Sequence, residues 1–241
     1  MDALNIAICG AEGRMGTSLQ SELEDRSDLH FAGGFYRDSD SLDDGTDLVI
    51  DFSSPAGCMS ALQAALEAEV PFVTGTTGLS DEQDRPLRDA GSSIPVLLAS
   101  NFSVGINILT GLVEQAAEAA EDFDIEIFEA HHRKKVDAPS GTALSLGEAA
   151  AGARDLELEE VAQWGRKGPV GVRDDETIGF QVVRGGSIVG EHTVMLCGDG
   201  ERLELTHRAE DRSIFAKGAL RASAWLVEQP PGFYDMRDVL F

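Results

Sequence analysis

Residues 129–143, EAHHRKKVDAPSGTA, concentrate side chains that can do chemistry. They include His131 and His132 of the chain's 5 histidines, Lys134 and Lys135 of its 4 lysines, and Arg133 and Asp137. Imidazole and ammonium groups can hold or deliver protons and can stabilise developing negative charge. Just downstream, Pro139 cannot sit inside a helix, whereas Ser140 is a good N-cap for the helical pattern ALSLGEAA. Gly141 and Thr142 would then present backbone N–H groups at a helix N-terminus, which is an anion site. The segment therefore predicts a guest that is a small carboxylate-bearing molecule. Adjacent histidines on an extended strand face opposite sides, so at most one of the pair serves a given site. Zinc held by His131, His132, Glu129 and Asp137 is the competing chemistry. Three neighbouring cations disfavour a dication there, and the chain has neither HExxH nor a paired-cysteine motif, so no metal is expected.

This cationic segment is an exception in a very acidic chain. The 241 residues carry 43 Asp and Glu against 19 Lys and Arg, a formal net charge of -24. Such a surface repels nucleic acid and anionic membranes, so neither is an expected partner. The acidic residues are dispersed rather than blocked into a tail, and lysine is scarce. Both features fit a protein of a high-salt cytoplasm, where ions screen the self-repulsion. The three scattered cysteines, Cys9, Cys58 and Cys197, form no disulfide framework. No basic leader precedes MDALNIAI and no apolar run reaches membrane-spanning length, so a cytoplasmic protein is expected.

The elements that must position these groups show two regimes. Through the first hundred residues, the apolar runs NIAICG, DLVIDFSSP, PFVTGTTG and IPVLLASNF alternate with the helical patterns SLQSELEDR, ALQAALEAEV and DEQDRPLRDAG. That alternation predicts βαβ units around a parallel sheet. A helix is then expected over Ser103–Glu121, followed by a half-exposed strand, FDIEIFEAHH. The runs TIGFQVVR, SIVGEHTVMLCG and ERLELTHR predict an antiparallel meander, and SIFAKGALRASAWLVE a last helix. The fold class is α/β: a Rossmann-like dinucleotide-binding domain, 1–102, then a mixed α+β domain, 103–212.

The first strand runs into Gly10-Ala11-Glu12-Gly13-Arg14-Met15-Gly16 and then into helix. Glycines at such a turn allow close approach of a pyrophosphate to the helix N-terminus. The spacing is GxxGxxG, so the Glu12 side chain must point away from the phosphates. At the end of the second strand, Arg37 suits the 2′-phosphate of NADPH, while neighbouring Asp38 leaves NADH open. Two more loops follow strand ends, Gly75-Thr76-Thr77-Gly78 and Ala99-Ser100-Asn101-Phe102. Their hydroxyl and amide groups could bond the ribose and carboxamide of a nicotinamide.

Taken together, EAHHRKKVDAPSGTA, GAEGRMG, GTTG, ASNFSVGIN, TIGF, VGEHT and FYDMRDVL closely resemble, in order, the motifs of the dihydrodipicolinate reductase family. The resemblance covers most of the chain. It implies NADPH- or NADH-dependent reduction of 4-hydroxy-tetrahydrodipicolinate or dihydrodipicolinate to tetrahydrodipicolinate, in diaminopimelate and lysine biosynthesis. It implies that His131 is the general acid/base and Lys135 a proton donor, that His132 contacts substrate, and that Gly141 and Thr142 hold a substrate carboxylate. Cofactor contacts carry over to Gly10, Gly13, Arg14, Met15, Gly75, Thr77, Ala99 and Phe102. It also implies a homotetramer built through the second domain's sheet, and a C-terminal helical segment, 213–241, that returns to the first domain. Hydride transfer needs nicotinamide and ring within about 3.5 Å, so the two domains are expected to close on the substrate.

Two departures from the family pattern stand out. Tyr36 replaces the acid common in bacterial members, and the short link between Asp38 and Asp47 implies a trimmed βα unit. The competing reading is a non-catalytic dinucleotide-sensing regulator of the same fold.

Overall fold

The structure, a computed structural model, describes residues 3–35 and 41–241. The chain divides into two compact units, Met1–Val104 with Arg212–Phe241, and Gly105–Asp211. None of its helices is long and apolar enough to cross a membrane among the described residues.

Unit one is built on a six-stranded sheet. The strands are β1 (Leu4–Cys9), β2 (Leu29–Phe35), β3 (Leu48–Asp51), β4 (Phe72–Thr74), β5 (Pro95–Leu98) and β11 (Gly232–Tyr234), in the order β11-β5-β4-β3-β1-β2. Every pairing is parallel. Side chains alternate along each strand, so both faces must be covered. Ile6, Ile8, Leu48, Ile50, Val73 and Leu97 enter a core with helices α1 (Arg14–Glu24) and α7 (Ser213–Leu226). Their neighbours Ala7, Cys9, Val49, Phe72 and Val96 enter a second core with α2 (Pro55–Ala68) and α3 (Asp81–Ala90). The strand order reverses at β1, which places the loops after β1 and β3 at the switch point where ligands of such sheets bind. Between β2 and β3 the described residues contain no helix. The segment 213–241, expected as one helical return, is α7, then the edge strand β11, then α8 (Met236–Leu240). Pro230 and Pro231 separate helix from strand because neither can extend the helix.

Unit two contains α4, which runs over Val104–Ala119, and a five-stranded mixed sheet. Its strands are β6 (Asp124–His131), β7 (Ala162–Trp164), β8 (Ile178–Arg184), β9 (Gly190–Gly198) and β10 (Glu201–Ala209), in the order β10-β9-β6-β8-β7. Ile125, Ile127, Ile178, Phe180, Val194 and Leu196 pack with residues of α4, α5 (Gly141–Gly152) and the short α6 (Leu158–Val161). The expected antiparallel meander is only half present. β9 and β10 form a hairpin, but β8 pairs parallel with β6 and is not a neighbour of β9. β6 takes the place between them, with β9 antiparallel on its other side. Turn signals mark where a chain reverses, but they do not say which strand it then joins. Here the link from β8 to β9 passes over the end of β6. Gly185 N–H donates to His131 O (2.9 Å), and Arg133 N–H donates to Gly186 O (3.3 Å). The β8–β9 link is thereby tied to the backbone on either side of His132.

Candidate active site

The candidate nucleotide loops all belong to unit one. Gly10 adopts φ +82°, a backbone conformation that favours glycine, and a Cβ there would lie 2.5 Å from the Phe52 carbonyl oxygen. Gly13 is the N-cap of α1 and gives its first turn no side-chain acceptor. By contrast, Ser54 caps α2 and Ser140 caps α5 with their side chains. The start of α1 therefore keeps backbone donors for an anion, which fits a pyrophosphate. Ala11 is buried in the core beside this turn, whereas Glu12 and Arg14 are exposed and Met15 is half-buried.

Phe52, after β3, joins the other loops. A Cβ at Gly75 would lie 2.1 Å from its ring, and the ring meets Phe102 edge-on with centroids 5.3 Å apart. Beneath it, the buried Asp51 carboxyl accepts from Ser53 Oγ, from Thr74 Oγ1 (2.8 Å) and from Thr76 Oγ1 (2.7 Å). The Thr76 hydroxyl is thus committed to the scaffold. Thr77 and Ser100 are exposed, and Ala99 and Phe102 are buried. Asn101 Oδ1 accepts the Ser103 N–H at 2.9 Å, which turns the chain into α4. Asp51 and Phe52 were not expected as site-forming residues. The apolar run DLVIDF did contain a signal, an acid within a buried strand, which must find partners. Arg37 and Tyr36 lie outside the described residues.

In unit two, His131 ends β6 and Glu129 stands two residues earlier on the same strand face. The Glu129 side chain is 1% exposed. Its Oε2 is 2.7 Å from His131 Nδ1 and accepts from Arg184 Nη1 at 2.7 Å. Its Oε1 accepts from Arg184 Nη2 at 2.7 Å and from the Ser140 N–H at 2.9 Å. Arg184 also donates to the Asp137 carbonyl (2.7 Å), and so fastens the loop carrying Lys135. Ser140 Oγ accepts the Ala143 N–H at 3.2 Å and pairs with His192 Nε2 at 3.0 Å. The His192 ring packs edge-on to His131, centroids 5.2 Å apart.

The charges follow from this packing. Burial pushes the Glu129 carboxyl upward, but its bonds from Arg184, His131 and Ser140 outweigh that and hold it below the usual carboxylate value. Burial pulls His131 below the ordinary imidazole value; Glu129 opposes the shift, while Lys135 and Arg184 add to it. Burial lowers His192 further, to about 4. The site at neutral pH thus holds an ionised glutamate and neutral imidazoles.

Of the residues expected to act on substrate, the structure joins His131 through Glu129 to Ser140, beside Gly141 and Thr142 at the start of α5. Lys135 Nζ pairs with Asp137 Oδ2 at 2.9 Å. His132 instead lines a cleft of about 540 Å³ with Arg133, Lys134, Gly186 and Ser187. Glu129 had been weighed only as a metal ligand, and Arg184 and His192 were not singled out. Their signal is visible only once β6, β8 and β9 are known to be neighbours.

Comparison with known proteins agrees across both units. The family model for the N-terminus of dihydrodipicolinate reductase matches residues 4–102, and the model for its C-terminus matches residues 105–240. A 4-hydroxy-tetrahydrodipicolinate reductase of Halorhodospira halophila is 48% identical, covering 99% of each chain. One from Caulobacter vibrioides is 47% identical, covering 98% of this chain and 97% of its own. Among solved structures, a dipicolinate-bound dihydrodipicolinate reductase from Paenisporosarcina sp. TG-14 shares the fold, with TM-score 0.79 at 21% identity over 99% of this chain and 100% of that one. With both halves matched and near-complete relatives at such identity, the chain belongs to the dihydrodipicolinate reductase family.

Proposed function

We propose that this chain reduces 4-hydroxy-tetrahydrodipicolinate, or its dehydrated form, to tetrahydrodipicolinate in diaminopimelate and lysine biosynthesis. It is an oxidoreductase that uses NADPH or NADH. The observation that carries this reading is one chain's possession of both an uncapped glycine-loop helix start and the Glu129–His131 cluster beside Ser140-Gly141-Thr142.

The nicotinamide nucleotide supplies the hydride when bound. The backbone of Gly10, Ala11, Glu12, Gly13, Arg14 and Met15 would hold its pyrophosphate. The loops Gly75-Thr76-Thr77 and Ala99-Ser100-Asn101-Phe102 would hold its nicotinamide half, and Arg37 would favour NADPH. In unit two, the start of α5 at Gly141 and Thr142 would hold a substrate carboxylate, and His132 would contact the substrate from the cleft that it lines. As negative charge develops on the substrate ring, Lys135 stabilises it, and Lys135 or His131 delivers the proton. Family membership favours this reading over a non-catalytic nucleotide sensor.

The assay is NADPH oxidation with enzymatically generated dihydrodipicolinate, against unrelated hydroxy acids and sugars. Turnover confined to the dihydrodipicolinate reaction supports the proposal, and turnover only with another substrate class rejects it.

Four chains would associate through the unit-two sheet, where Trp164, Val182, Val183 and Leu203 are exposed. Light scattering would read a tetramer mass if this assembly forms, and a monomer mass otherwise. The net charge of -24 supports the further reading of a protein adapted to a salty cytoplasm. Melting temperature should then rise with KCl well beyond physiological levels, and a flat or falling series would reject that setting.

A further inference from the structure

The four bonds to Glu129 leave little freedom in how His131 carries its protons. An ionised carboxylate only accepts, and it has about four lone-pair sites. Three of its bonds come from unambiguous donors: Arg184 Nη1, Arg184 Nη2 and the Ser140 N–H. The paired guanidinium and the backbone N–H keep Glu129 ionised, so the fourth partner, His131 Nδ1 at 2.7 Å, must also donate. Its hydrogen is then fixed on Nδ1, and Nε2 bears the lone pair. A Cβ at Gly190 would lie 3.1 Å from that Nε2, so β9 leaves the ring space by starting with a glycine there.

Resting on the reductase reading, we infer that Glu129 is a positioning residue, clamped by Arg184, that holds His131 as its Nδ1–H tautomer and leaves Nε2 as the nitrogen that takes up and releases the proton. The same carboxylate grips the Ser140 N–H, at the cap of the helix proposed to hold the substrate. One buried group thereby sets the proton-carrying ring and the anion site in a common frame. Arg184 fixes that frame from β8 and extends it to the Asp137 carbonyl. The charged and titratable groups around the ring are Glu129 on its own strand, Arg184 on β8, His192 on β9, and Lys135 with Asp137 in the following loop. Among the described residues only Glu129 favours the protonated form of His131, so removing that charge must move the ring's titration to lower pH.

The primary test uses the wild-type protein with ¹⁵N-labelled histidine. The expected spectrum of His131, assigned with His131→Asn, shows Nδ1 protonated and Nε2 bare at neutral pH. A ring protonated on Nε2 instead overturns the inference without any variant needing to fold. Glu129→Gln, with folding checked by circular dichroism, should shift the His131 titration and the pH limb of kcat to lower pH. It should lower kcat by about 10²–10⁴, the range of a general acid–base contribution, with KM for NADPH unchanged. Arg184→Lys keeps the charge but not the fork, so the titration should stay near wild type while kcat falls. A folded Glu129→Gln protein with wild-type titration and pH limb would contradict the assignment. If the wild type does not oxidise NADPH with the dihydrodipicolinate reaction, the functional reading falls alone, because the tautomer is read without substrate.

Discussion

Each unit buries a carboxyl at the end of a central strand, and the two are satisfied in different ways. Asp51, closing β3, is ringed by the hydroxyls of Ser53, Thr74 and Thr76. Glu129, near the end of β6, is ringed by a guanidinium, an imidazole and a backbone N–H. Hydroxyl partners bring no charge of their own. They tie the segments after β3 and β4 together, where glycines and Phe52 shape the candidate nucleotide loops. Charged partners couple the second carboxyl to the protonation of its neighbours. The same device thus serves shape in one unit and proton placement in the other. Added volume should damage the first unit, and altered charge the second.

The largest effect should come from charge in unit two. Lys135→Ala should lower kcat by about 10²–10⁴ while NADPH affinity stays near normal. Lys134→Ala should be mild, although Lys134 lines the cleft with His132 and Arg133. Steady-state kinetics at low and high KCl separate the two cases. Equal, salt-sensitive KM defects with intact kcat would reduce unit two to a general cationic patch.

Next is acid sensitivity. His192 titrates near about 4 when folded, against 6.5 unperturbed. As pH falls below 6.5, the unfolded state binds more protons, so stability drops until about 4 and is flat above 6.5. The full loss is about 3 kcal/mol from this ring, and denaturant melts over that range should show it. His192→Asn should flatten the slope. An unchanged slope would mean that His192 is not the group that resists protonation.

Volume in unit one should matter less to catalysis and more to binding. Gly10→Ala forces a Cβ against the Phe52 carbonyl at positive φ, at about 1–3 kcal/mol. NADPH affinity should fall while the His131 titration does not move. A shifted titration would break the division between shape and charge. Smallest is Arg37→Ala, which should lower kcat/KM for NADPH about tenfold, or roughly 1.4 kcal/mol, and spare NADH. An unaltered NADPH value would remove the 2′-phosphate contact.

Much of this was legible because it is local. Alternating apolar runs announced the parallel sheet, GAEGRMG the turn into α1, and PSGT the cap of α5. The basic segment marked a candidate site, and the family resemblance it carries, rather than its residues alone, pointed to His131 over His132. What escaped depends on contacts between distant segments. Glu129 meets Arg184 across 55 positions, and Ser140 meets His192 across 52. Hydrophobic period gives a strand its faces but not its neighbours. Reading β8, β9 and β10 as a meander therefore separated Arg184 from the strand it serves. Likewise the Thr76 hydroxyl looked available to a ligand until Asp51 was seen to hold it.

The most direct test of the whole account is the fate of the hydride. NADPH deuterated at the transferable position should be oxidised by the wild-type enzyme in the presence of dihydrodipicolinate. The tetrahydrodipicolinate formed should carry one deuterium by mass spectrometry, and the label should vanish from the nucleotide at the same rate. Unlabelled tetrahydrodipicolinate, or nucleotide that keeps its label while substrate is consumed, would contradict the assignment of this chain as the reductase.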